Sequence, residues 1–201
     1  ITDPHNRRVQ EMAKNVVRGK IISSDGNVLA QTITENGEEE RDYPYGRMFA
    51  HVVGYNDKGK AGLESKCNFD LLTSNANLLS QITSSLKGEK SQGDNVYTTL
   101  STKVQTAAYN ALQGEKGAVV AMDPETGAVY AMVSKPDFRP GLVAENWEEL
   151  NTDEDSLLLN RATQGLYPPG STFKVVTALE YMREHPDDYQ DFTYNLSLIH
   201  I

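Results

Sequence analysis

The 201-residue chain has one cysteine, Cys67, so no internal disulfide can form and no pair of thiolates is available for a zinc site. Cys67 reads as a small buried hydrophobe. Its four histidines, His5, His51, His185 and His200, never stand at i, i+4 or in a His-Glu-x-x-His arrangement, so no metal is expected and each reads as a surface or packing residue. No uninterrupted apolar run approaches the ~18 residues that a membrane span needs, and mean hydropathy is -0.52. Positive charge is scarce: 19 Lys and Arg stand against 28 Asp and Glu, for a net charge of -9 and an isoelectric point near 4.9. Phosphate binding needs clustered cations, so nucleic acid is not an expected partner. The N-terminal Ile1 to His5 has neither the basic stretch nor the apolar core of a signal peptide. That leaves a cytoplasmic protein or a chain that starts partway into a longer one. With 38% hydrophobic and 23% charged residues, the remaining class is a soluble globular chain of one large or two small domains.

What is present falls into two regions. Residues 6–18 carry apolar side chains at Val9, Met12, Ala13, Val16 and Val17, compatible with a short helix or an extended arm. Residues 19–32 predict a hairpin, because Asp25-Gly26 tolerates the positive φ of a tight turn between two β-rich runs. Glu38 to Glu40 read as a solvated loop, and residues 43–62 as irregular packing around short strands. The polar, Gly-bearing residues 84–95 mark a domain boundary. Beyond it, Ser101 can cap a helix with apolar residues at Val104, Ala107, Ala108, Ala111 and Leu112, stopped by Gly114. A second hairpin is predicted over 117–134, with Gly127 in the left-handed position of its turn. Apolar residues on both of its faces call for helices above and below. Residues 135–170 hold no long regular element, with at most one helical turn in the acidic 145–155. A helix then starts at Ser171 and ends before Pro186.

Ser171 and Lys174 stand three residues apart at the start of that helix, so their side chains share one face. A serine nucleophile needs a base. Bare Ser-x-x-Lys spacing is weak, since Ser84 to Lys87 repeats it in the polar linker. Context separates the two. Helix N-termini leave N–H groups unpaired and carry partial positive charge, which would hold an oxyanion on Ser171 and disfavour a cation at Lys174. An ordinary lysine needs ~4–5 kcal/mol to be neutral at pH 7, and burial together with the helix end act in that direction.

Pro169-Gly170-Ser171-Thr172-Phe173-Lys174, preceded by Asn160-Arg161-Ala162 and Tyr167-Pro168, closely resembles the active-site serine segment of class B penicillin-binding proteins. Further segments resemble the family in the same order. Arg18-Gly19-x-Ile21, Asp25-Gly26-x-x-Leu29-Ala30, Arg41-x-Tyr43-Pro44, Val53-Gly54-Tyr55 and Gly62-Leu63-Glu64 are similar to its non-catalytic pedestal. Thr98-Thr99-Leu100, Gln105 and residues 117–127 are similar to the opening of its transpeptidase domain.

The resemblance implies an α+β chain: a mostly-β pedestal over residues 1–95, then the truncated start of a penicillin-binding, β-lactamase-like α/β-sandwich domain over 96–195. It implies a peptidoglycan D,D-transpeptidase with catalytic Ser171 and Lys174 and no cofactor. The implied partners are D-Ala-D-Ala stem peptides, β-lactams as covalent inhibitors and a membrane glycan polymerase. The implied location is the extracytoplasmic face of the bacterial membrane, through an N-terminal anchor not present in these residues. The family's Ser-x-Asn and Lys-Thr/Ser-Gly motifs occur nowhere in the chain, so a fragment is expected, catalytically silent and loosely folded after residue 95. Residues 196–201 resemble the conceptual translation of a transposon end and are expected to be a non-native tail. A class D-like β-lactamase or β-lactam sensor, or a non-catalytic scaffold, stands as the alternative.

Overall fold

The computed structural model describes residues 15–35, 37–74 and 90–193. Most of the 6–18 arm, the first half of the 84–95 linker with its second Ser-x-x-Lys, and the 196–201 tail lie outside the described residues. Contacts divide the chain into two units, one ending at Gly165 and the other beginning at Leu166.

In the first unit, β1 (Val16–Val17) and β2 (Ile21–Ile22) show that the end of the N-terminal arm is extended. The Ser23-to-Asn27 turn leads into β3 (Val28–Glu35), antiparallel to β2 with Ile21 opposite Ala30, and Gly26 takes φ +80° as a tight turn requires. β4 (Glu38–Asp42) pairs antiparallel with β3. The Glu38 to Glu40 run is therefore a strand and not a loop. Its three carboxylates are exposed, while the following Arg41 turns inward. Residues 43–62 differ too: a 3-10 turn at Gly46–Phe49 runs into α1 (Ala50–Val53), and α2 (Gly62–Lys66) and α3 (Asn68–Leu72) follow. Helices of four or five residues are too short to show a 3.6-residue period in sequence.

The chain then returns as β5 (Ser91–Gln92), parallel to β1, and β6 (Val96–Tyr97), parallel to β2. Between these two pairings the backbones nearly touch. A Cβ on Gly19 would lie 1.8 Å from the Asp94 carbonyl oxygen, so no larger residue fits there. The four-stranded sheet runs β4-β3-β2-β6, and its core gathers Ile21, Leu29, Ala30, Phe49, Val53, Leu71 and Leu100. Cys67 packs half-buried against this core. Beside it Glu64, fully buried, accepts from Arg18 Nε at 2.6 Å and Arg41 Nε at 2.7 Å.

Residues 96–165 pack with the preceding segment, Leu100 joining the first core. Helix α4 (Thr102–Ala111) is capped by Ser101 as its sequence predicts, and also by the first hairpin: Asp25 Oδ2 accepts from the Thr102 N–H at 3.0 Å and the Thr102 hydroxyl at 2.7 Å. Hydrogen bonds from the Ser23 and Thr102 hydroxyls hold the Asp25 carboxyl well below the usual carboxylate range. The left-handed residue ending α4 is Gln113, at φ +43°, and not Gly114. β7 (Gly117–Met122) and β8 (Val129–Lys135) form the second hairpin, with Gly127 at φ +75°. One of its faces packs on α4 through Ala108, Ala131 and Val133. The other face is covered in part: Ser134 is buried there and accepts the N–H of Arg161, where a further short helix starts, at 2.9 Å, while Val120, Met122 and Tyr130 stay exposed. Fully buried Gln105 ties α4 to this hairpin, donating to the carbonyls of Met48 and Met132 and accepting the Met132 N–H. The acidic stretch contributes α5 (Trp147–Thr152), and α6 (Arg161–Gln164) closes the unit. A second core joins Ala50 and Tyr55 to Phe138, Val143 and Leu150.

In the second unit a 3-10 turn at Gly170–Phe173 continues into α7 (Lys174–Glu184). Its apolar residues Val175, Val176, Leu179 and Met182 are all 40% exposed or more.

Candidate active site

The serine segment is shaped by its own sequence. Pro168 and Pro169 cannot extend a helix backwards, and Gly170 takes φ +53°, a conformation that an L side chain adopts only with strain. That bend starts the helical path at Ser171. Thr172 fastens the turn, its N–H and hydroxyl both donating to the Pro169 carbonyl, at 3.2 and 2.6 Å. The Lys174 N–H donates back to the carbonyls of Ser171 and Thr172, which carries the 3-10 turn into α7.

Ser171 and Lys174 thus lie on successive positions of one continuous helical path, three residues apart. Among the described residues no hydrogen bond joins Ser171 Oγ to Lys174 Nζ, and both side chains are exposed. Lys174 is the first residue of α7. The Thr172 and Lys174 N–H groups are taken up by these turn bonds, and the start of a helical path carries partial positive charge.

Upstream, Asn160 and Arg161 are held in the first unit. The Asn160 side chain caps α6 by accepting the Ala162 N–H at 3.1 Å, and Arg161 donates to the carbonyls of Asp155 and Ser156. His51 proves a packing residue: it is buried, its ring stands edge-on to Phe138, and burial pushes its pKa below the ordinary 6.5. Among the described residues, no group of three His, Cys, Asp or Glu could hold a metal ion, and no helix is long and apolar enough to cross a membrane. Sequence reasoning missed the Glu64 ion triad and the Asp25 cap. Both join residues far apart in the chain, so no local spacing could reveal them.

The fold and the serine helix define the class: a penicillin-binding, serine-transpeptidase architecture. Residues 18–96 match the family model described as penicillin binding protein A dimerisation domain, and residues 117–196 match the penicillin binding protein transpeptidase domain. The chain belongs to the class B penicillin-binding proteins. Among individual proteins it is 37% identical to the peptidoglycan D,D-transpeptidase PbpA of Mycolicibacterium smegmatis over 193 residues, 87% of this chain and 39% of the relative. It is also 37% identical to the peptidoglycan D,D-transpeptidase MrdA of Acinetobacter baumannii, over 69% of this chain and 25% of that protein. The imipenem acyl-enzyme of penicillin-binding protein A from M. tuberculosis superposes with a TM-score of 0.75 at 33% identity, covering 85% of this chain and 43% of that one. The chain thus spans about two fifths of the length of the PbpA relative.

Proposed function

We propose that this chain carries the pedestal, residues 1–95, and the first part of the transpeptidase domain, residues 96–195, of a peptidoglycan D,D-transpeptidase, with Ser171 as nucleophile and Lys174 as base. The observation that carries this reading is the Pro169-Gly170-Ser171-x-x-Lys174 bend at the start of an 11-residue helix, inside the span that matches a transpeptidase model. In the reaction, Ser171 Oγ attacks the carbonyl carbon of the penultimate D-alanine of a stem peptide while Lys174 Nζ takes the hydroxyl proton. The C–N bond to the terminal D-alanine breaks, the leaving amine takes that proton, and a serine ester remains. An amine of a neighbouring stem then attacks the ester and frees Ser171. A β-lactam is attacked in the same way and leaves a stable ester. The Ser171 N–H is one oxyanion donor; the Lys-Thr/Ser-Gly strand implied by the family would give the second. A single missing donor can cost ~10²–10³ in rate. Such an enzyme works at the extracytoplasmic face of the membrane, and its pedestal would dock a membrane glycan polymerase.

Titration with a fluorescent penicillin tests the reading, in a chain continued past residue 195 through the Ser-x-Asn and Lys-Thr/Ser-Gly motifs. Rapid stoichiometric labelling is expected. Turnover would point instead to a β-lactamase, and silence to a scaffold.

A further inference from the structure

The ion triad of the pedestal is not balanced in charge. Arg18 and Arg41, 7% and 9% exposed, share the one negative charge of fully buried Glu64. Arg18 is fully engaged: Nε on Glu64, Nη1 on the Asn68 side chain at 2.7 Å and Nη2 on the Glu64 carbonyl at 2.6 Å. Arg41 Nη1 donates to the Gly19 carbonyl at 2.8 Å, but its Nη2 is buried without a partner among the described residues. Arg41 lines a cavity of about 160 Å3, bounded by Val16 of β1, Thr32 of β3 and the loop that carries Asn56 and Lys60. The Ala61 N–H closes that loop on the Tyr55 carbonyl at 3.1 Å.

Both loop residues bring polar groups to the cavity. Asn56 Oδ1 is also buried without a partner among the described residues, and turning the amide over presents its NH2 in the same place. Lys60 is half-buried and makes no ion pair among the described residues; burial, and then the charge of Arg18, push its pKa below the ordinary 10.5. Nearby carboxylates do not supply the missing charge. Glu39 is paired with Lys90 at 2.7 Å, Asp57 is exposed, and Glu40 is exposed and alternates to the strand face opposite Arg41. A water molecule would complete the hydrogen bonds but leave the excess of cations uncompensated.

We propose that this cavity is an anion site, in which one phosphate-sized oxyanion accepts from Arg41 Nη2, the Lys60 amine and the Asn56 amide. Four oxygens serve donors that reach the cavity from separate points, whereas the two oxygens of a carboxylate leave fewer acceptors to share. The bound anion ties β4 to the loop preceding α2, wholly within the first unit, and offsets the surplus charge of the triad.

Calorimetric titration of the 201-residue chain with inorganic phosphate, at pH 7 and constant ionic strength in a chloride buffer, tests this. One site per chain is expected, with sulfate competing for it. Lys60→Gln should weaken phosphate about tenfold to a hundredfold and leave the phosphate-free melting temperature unchanged, while Lys60→Arg should bind within a few fold of the parent. Asn56→Asp puts a carboxylate of the same shape beside the cations, so it should raise the phosphate-free melting temperature and abolish binding. Phosphate also stabilises proteins generally by exclusion from their surface, and that effect would be equal in the parent and the variants. No saturable binding, or equal affinity in the parent and Lys60→Gln, overturns the inference and leaves water as the occupant. Acetate binding as tightly as phosphate overturns the choice of oxyanion, and an Asn56→Asp chain that is less stable yet still binds phosphate overturns the argument from charge.

Discussion

Replacing Glu64 by Gln should be among the costliest single-atom changes in the pedestal. Glu64 is fully buried and divides its two oxygens between Arg18 Nε at 2.6 Å and Arg41 Nε at 2.7 Å, whose side chains are only 7% and 5% exposed. Glutamine keeps the volume but offers one acceptor oxygen and one NH2 group. One guanidinium would then face a donor, and both would lose their counter-charge. Arg18 cannot turn to water, because its Nη2 is already spent on the Glu64 carbonyl and its Nη1 on Asn68. Removing one partner from a buried pair costs ~3–5 kcal/mol, and with two cations on one carboxylate the upper half of that range is expected. Against a typical stability of ~5–15 kcal/mol, this threatens the fold. Urea unfolding followed by Trp147 fluorescence and by circular dichroism measures it. Trp147 lies in the second core, so coincident transitions would show that the whole first unit depends on the triad. The loss should persist at ~1 M salt, where exposed pairs are screened. A cost below ~1 kcal/mol would mean that the triad behaves as a surface pair, and the argument from burial would fail.

The other expectations are narrower. Because burial holds the His51 pKa below 6.5, the unfolded chain binds a proton there that the folded chain does not, so stability should fall as pH drops below about 6.5 and stop falling below the folded pKa. Urea midpoints across pH 4–8 should lose that component in His51→Gln; an unchanged profile would refute the assignment. Asp25→Ala should cost ~0.5–2 kcal/mol by uncapping α4, read as a lower melting temperature, and a neutral effect would show that Ser101 suffices. Lys174→Arg keeps the charge but cannot be deprotonated, so acylation in the continued chain should collapse nearly as far as with Lys174→Ala. Near-parental acylation by the Arg variant would end the neutral-lysine mechanism.

Where the chain obeys local rules, sequence was enough. Asp25-Gly26 and the Asp123-to-Gly127 segment mark turns, Ser101 caps α4, and two prolines and a glycine place the start of the serine helix, all within a few residues. Glu38 to Glu40 misled because three charges hide a strand whose polar face meets solvent while Arg41 makes the buried contact. The end of α4 misled because Gln113 accepts the left-handed conformation that a neighbouring glycine would have taken without strain. The exposure of Lys174 could not be read from a Ser-x-x-Lys spacing for another reason: it depends on which elements lie over the serine helix, and nothing in that spacing encodes them. The hydrogen bond from His51 to the Leu157 carbonyl likewise joins residues more than a hundred positions apart.

The account turns on one serine, and peptide mass mapping of the penicillin adduct tests it. In the chain continued through the Ser-x-Asn and Lys-Thr/Ser-Gly motifs, the adduct should sit on the peptide carrying Ser171 at one per chain, and Ser171→Ala should abolish it with little change in melting temperature, because the exposed Ser171 side chain caps neither the 3-10 turn nor α7. An adduct on any other serine, Ser84 included, or stoichiometric labelling that survives Ser171→Ala, would contradict the account.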